Sequence, residues 1–143
     1  MRLIRLAVVL TFSLTLAPLV AEVQQAGKVW RIGMLWFGNL ENLGVRMRFN
    51  AFRQGLREQG YMEGRNVAFE HRSARGKFEL FPDLAAELVR LKVDVIVTPG
   101  NTPATSAAKQ ATSTIPIVFM AAGDPVALGF VASLARPGGT SRE

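Results

Sequence analysis
The sequence predicts an α/β fold, a doubly wound parallel sheet, and three observations carry that expectation. The hydrophobic period switches repeatedly between two residues and 3.6 residues along the chain. Residues 93–98 (VDVIVT) form a short β-branched run of the kind a parallel sheet buries on both faces. Two strand-like segments are followed by a polar residue and a proline, Thr102-Pro103 and Asp124-Pro125, the pairing that opens helices. Strand–helix units in series need crossovers that are almost always right-handed, which places helices on both faces of the sheet.

The first strand is expected over residues 29–36 (VWRIGMLW), ending in a loop at Gly38-Asn39. Val45, Phe49, Phe52 and Leu56 then recur at spacings of four, three and four, one stripe of a helix, with Gly60 placed where a left-handed C-terminal cap is wanted. Residues 66–72 (NVAFEHR) alternate as a strand does. Phe81, Leu84, Ala85, Leu88 and Val89 form a second helical stripe, with Pro82 in its first turn. After the strand at 93–98, Thr102 is read as an N-cap with Pro103 at the first helical position. Ala104, Ala107, Ala108 and Ala111 give that helix a face small enough to lie close to the sheet. Residues 115–121 (IPIVFMA) make the fourth strand. Asp124-Pro125 opens a further helix carrying Val126, Phe130, Val131 and Leu134, which ends at Pro137-Gly138-Gly139.

Of the 143 residues, 49% are apolar and 20% charged, which suits one packed core and argues against disorder. The absence of cysteine removes disulfides, thiolate metal sites, cysteine nucleophiles and a lipid-modified cysteine anchor. The net charge of +6 is spread among interspersed acids, as in Arg57-Glu58 and Glu63-Gly64-Arg65. Arg46, Arg53 and Arg57 read as a solvated helix face, and no nucleic-acid partner is expected. Residues 1–5 carry two arginines and no acid, and residues 6–20 carry no charge at all. That is the pattern of a secretory signal peptide, assigned to residues 1–23, and it predicts export to the periplasm without a lipid anchor. The alternatives are an uncleaved anchor or a buried first helix; Pro18 and the short apolar run weigh against a membrane span.

Catalytic parts are missing from the loops. Between the first strand and helix, residues 38–44 read GNLENLG rather than G-x-G-x-x-G, and Gly76-Lys77 is followed by Phe78 instead of a hydroxyl residue. No G-x-S-x-G or H-E-x-x-H occurs. The single histidine, His71, lies inside a predicted strand and is read as structural or merely exposed. No catalytic residue, metal site or cofactor is predicted, and the chain is not expected to be an enzyme.

Ligands of doubly wound sheets sit at the carboxyl ends of the strands, here residues 36–39, 72–75, 99–102 and 122–125. The helix beginning near Thr102 aims its free N–H groups and positive dipole end past the third strand, an anion site suited to a carboxylate. Pro103 lacks a donor, so Asn101, Thr102, Ala104 and Thr105 would supply the contacts. Asp124, at the end of the neighbouring strand, would accept from an ammonium group, and the two together complement an α-amino acid. The structural alternative is that Asp124 and Thr102 only cap their own helices.

Longer motifs identify a resemblance. Residues 51–61 (AFRQGLREQGY) with 63–67 (EGRNV), 84–97 (LAAELVRLKVDVIV), 107–118 (AAKQATSTIPIV), 123–126 (GDPV) and 134–139 (LARPGG) resemble the bacterial ABC transporter substrate-binding protein family, collinearly over residues 28–139. The resemblance implies a Rossmann-like or flavodoxin-like lobe of a type I periplasmic-binding fold. It also implies a small-molecule solute as ligand and an ABC permease in the inner membrane as partner. It makes Asp124, Asn101 and Thr102 the preferred contacts of this lobe, with Thr105, Trp36 and Asn39 as further candidates. The loop over residues 36–46 departs from the family's Ser/Pro/Gly-rich loop. Family chains run on well beyond the Pro-Gly-Gly segment to form a second lobe, so residues 24–143 are expected to be a first lobe without its second. Such an open shelf is expected to bind no tighter than about millimolar. The function expected is that of an importer's solute receptor. The alternatives are the sensory domain of a regulator or a fragment without function of its own.

Overall fold
The computed structural model describes residues 27–120; the proposed signal segment, Asp124 and the helix expected after it lie outside the described residues. The order is β1 (Trp30–Trp36), α1 (Leu43–Glu58), β2 (Val67–Ser73), a 3₁₀ turn (Phe78–Leu80), α2 (Phe81–Arg90), β3 (Val95–Pro99), α3 (Thr102–Ala111) and β4 (Ile117–Met120). The four strands pair in parallel in the order β2-β1-β3-β4. The α/β class and the doubly wound parallel sheet are as the sequence predicts.

Alternation along each strand divides the interior in two. Ile32, Met34 and Trp36 of β1, Val67 of β2 and Val97 of β3 join Val45, Phe49, Phe52 and Leu56 of α1 on one face. On the other, Leu35 and Ile96 meet Phe81, Ala85 and Leu88 of α2 and Ala104, Ala107 and Ala108 of α3. Those alanines are almost wholly buried, so two helices share that face at close range. Thr98, facing the same way, is fully buried; its hydroxyl meets that of Thr105 at 2.7 Å, and Thr105 in turn donates to the Asn101 carbonyl at 3.1 Å. Thr98 is therefore the donor of the pair, and both buried hydroxyls are satisfied.

The helix ends follow local chemistry. Asn42 caps α1, accepting from the Gly44 N–H at 2.9 Å. At the far end Gly60 has φ +86°, its N–H donates to the Arg57 carbonyl and that of Tyr61 to Leu56, the paired bonds of a left-handed cap. Several boundaries differ from the sequence reading, three of them for a plain local reason. The cap of α3 is Asn101, whose Oδ1 accepts from the Ala104 N–H at 3.3 Å, so Thr102 is the first helical residue and Pro103 the second. Strand β3 begins at Val95 because the Asp94 side chain instead accepts the Arg31 N–H at 2.8 Å. Strand β4 begins after Pro116, which has no N–H for the ladder and offers its carbonyl to Ile96.

Ion pairs line the outer part of the α2 face. Arg31 reaches Glu70 at 2.8 Å and the Leu91 carbonyl at 2.7 Å, and Arg72 meets Glu87 at 2.6 Å. Arg53, on α1, pairs with Glu63 at 3.4 Å.

Candidate functional site at the carboxyl edge
Strands β1 and β3 lie side by side, yet the chain leaves them toward opposite faces, to α1 from the first and α3 from the second. This divergence opens a crevice at their carboxyl ends, the place where α/β sheets bind ligands. A cavity of about 210 Å³ occupies it, lined by Trp36 and Asn42, by Val45 and Arg48 of α1, and by Gly100 and Asn101. Enclosed ligand pockets run to roughly 300–1,000 Å³, so this space has the size of part of a site. A second cavity, of about 450 Å³, opens at the end of the edge strand β2, where Asn39, His71, Ser73 and Arg75 meet Leu80 and Leu84. Three of the four strand-end segments singled out from the sequence thus line cavities; the fourth lies outside the described residues.

The turn after β3 is set by Gly100, which has φ +69° and donates its N–H to the Met120 carbonyl at 2.7 Å. Glycine adopts that conformation without the penalty a Cβ brings. The turn delivers Asn101 to the switch-point cavity, half-buried, with Thr102 next to it. The amides of Asn101 and Thr102 carry no hydrogen bond among the described residues. The amides of Ala104 and Thr105 are taken, by the Asn101 side chain and the Asn101 carbonyl at 3.2 Å. Thr105 is 2% exposed and both its polar groups serve the start of α3, so as a ligand contact it is corrected to a structural role.

Trp36 and Asn39, grouped together in the sequence, part company. Trp36 is 2% exposed, packs edge-on against Phe49, and borders the switch-point cavity. Asn39 is exposed, accepts the Glu41 N–H in a tight turn, and faces the β2 cavity.

His71 connects the two. Its Nδ1 accepts the Trp36 indole N–H at 3.1 Å, and its ring stacks on Phe69 and meets Phe49 edge-on at 4.8 Å. Burial pushes its pKa below the ordinary 6.5, against the opposing pull of Glu63 and Glu70. An Nδ1 that accepts is unprotonated, so the neutral ring matches the hydrogen bond. The structural reading of His71 fits this position.

Arg48 escaped the sequence reading. It lies three residues after Val45 and one before Phe49, at the border of the buried stripe, which was the available signal. Which border faces β3 depends on how α1 crosses the sheet, and sequence does not give that.

A doubly wound lobe whose open space gathers at the carboxyl strand ends, with free amides and a guanidinium there, has the architecture of an α/β ligand-binding domain. Residues 39–141, well over half of the chain, match the family model described as ABC transporter substrate binding protein, and the chain belongs to that family. It is 36% identical over 88 residues to the tyrosine-binding protein of Clostridioides difficile; the match spans 62% of this chain and 25% of that relative. It is similar to a conserved domain protein of Vibrio cholerae, with TM-score 0.67, 32% identity, 75% of this chain and 35% of that one. It is also similar to an ABC domain of Streptococcus pneumoniae in complex with L-Trp, with TM-score 0.69, 26% identity, 79% of this chain and 37% of that one. The chain thus spans about a quarter to just over a third of the length of these relatives.

Proposed function
We propose that residues 24–143 form the first lobe of an extracytoplasmic solute receptor that captures an α-amino acid with an aromatic side chain and delivers it to an ABC permease. The observation that carries this reading is the switch-point cavity, which Asn101 and Trp36 both line and beside which the Asn101 and Thr102 amides carry no hydrogen bond among the described residues. Such amides suit a carboxylate, and the apolar lining that Trp36, Phe37 and Val45 give the cavity suits an aromatic side chain. The reading is supported by membership of the family and by two relatives whose names carry tyrosine and L-Trp. Asp124 takes the ammonium group, and residues 1–23 direct export.

Titration with L-tyrosine, L-tryptophan and L-leucine, for the 143-residue chain and for its Asp124→Asn variant, tests it. The expected result is preference for the aromatic acids, with Asp124→Asn weakening them as an ammonium loses its partner. Equal affinity for all three solutes removes the aromatic assignment, and equal affinity of the two proteins returns Asp124 to capping, where Asn is nearly equivalent.

A further inference from the structure
We propose that Arg48 is the residue that selects for a carboxylate in the switch-point cavity, an inference that rests on the amino-acid reading above and supplies a contact it lacks. The need comes from the donor count. An ionised carboxylate has about four acceptor sites. At the start of α3, Pro103 has no N–H, and the Ala104 and Thr105 amides are already bonded to Asn101. Only the Asn101 and Thr102 amides remain open among the described residues. Two donors leave half of a carboxylate's capacity unanswered in a partly desolvated cleft, and unanswered acceptors are costly there.

Arg48 is placed to answer it. Among the residues lining the cavity it is the one charged side chain. A Cβ built on Gly100 would stand 3.6 Å from an Arg48 terminal nitrogen, so the guanidinium reaches from α1 across the crevice to the turn after β3. The absent side chain of Gly100 keeps that approach open. No acid claims the guanidinium among the described residues. The ion pairs join Arg31 and Arg72 to Glu70, Arg72 to Glu87, and Arg53 to Glu63, while Arg48 enters none. A guanidinium presents five N–H groups in a planar fork that fits a carboxylate through two parallel bonds. With the Asn101 and Thr102 amides on the far side, a carboxylate is bracketed from α1 and from α3. The same charge repels a solute whose corresponding end is cationic.

The test is an NMR-detected titration of the 143-residue chain with L-tryptophan and L-tryptophan carboxamide, which lacks the carboxylate charge. It is run on the unaltered chain, Arg48→Gln and Arg48→Lys. The expected result is that Arg48→Gln weakens L-tryptophan roughly ten- to a hundredfold, the scale of a hydrogen bond to a charged group, and leaves the carboxamide unchanged. Arg48→Lys retains part of the preference, because an ammonium keeps the charge without the fork. Melting temperatures stay together, since Arg48 is exposed and in no ion pair among the described residues. If Arg48→Gln binds L-tryptophan with undiminished preference over the carboxamide, the assignment of Arg48 is overturned and the amino-acid reading stands. If the unaltered chain binds no α-amino acid, that reading falls and this inference with it.

Discussion
The two faces of the sheet solve the same packing problem with different materials. The face under α2 and α3 is built from Leu35, Leu88 and Ile96 against a row of alanines, and its buried polar pair, Thr98 and Thr105, is satisfied internally. The face under α1 is filled by rings, with Trp36, Phe49, Phe52 and Phe69 clustered about a half-buried histidine. Small residues let two helices approach and seal; large rings fill the width beneath one helix and leave polar groups at its margins. The first face holds the lobe together; the smaller cavity opens at the margin of the second, between α1 and the turn after β3, and the larger, at the end of β2, reaches Leu80 and Leu84 of the first.

The largest expected effect lies on the sealed face. Leu88 of α2 is fully buried, and Leu88→Ala removes its contacts and leaves a cavity in close-packed surroundings. Urea unfolding should show a loss of about 2–5 kcal/mol. A loss under about 1 kcal/mol would mean that this face yields as readily as a surface.

The next is the internal hydroxyl chain. Thr105→Val should cost about 1–3 kcal/mol, because Thr98 is left a buried donor without an acceptor. The double replacement, Thr98→Val with Thr105→Val, should cost less than the sum of the two, and additive costs would show that the hydroxyls do not depend on one another.

The smallest belongs to the aromatic face and depends on pH. The His71 pKa is lowered in the folded chain, chiefly by burial. The unfolded chain therefore binds the proton more readily, and stability is lost as pH falls through the ordinary value near 6.5. Above that value both states are neutral and the contribution is complete. Urea midpoints at pH 7.5 and 5.0 should separate for the unaltered chain and converge for His71→Gln. An unchanged separation in the variant would assign the pH dependence to other groups. Trp36 fluorescence should report the same step, since protonated Nδ1 can no longer accept the indole N–H.

Much of the architecture was written in local patterns. The stripe Val45, Phe49, Phe52, Leu56 and the run at 93–98 name their element types because a buried face repeats at the period of its element. Gly60 was legible as a cap for the same local reason. Asn101 shows the limit of such reading. Asparagine, threonine and proline stand in sequence, and either of the first two could cap. The turn at Gly100, tied to Met120 on another strand, put the chain in register for Asn101. That register spent the amides of Ala104 and Thr105 and withdrew Thr105 from the site.

Sequence alone determined the strand and helix order, the placing of candidate groups at strand ends and the family resemblance, because these rest on neighbours within a few residues or on motif identity. Tertiary structure decided the rest. It set Trp36 against His71, thirty-five residues away, and left Asn39 on a different cavity from Asn101. It also turned Arg48 rather than Arg53 toward the crevice, with Arg53 drawn to Glu63 on the opposite flank of α1. A helix has the same period whichever way it crosses a sheet, so its period names the buried stripe, and only the crossing chooses which flank meets the ligand.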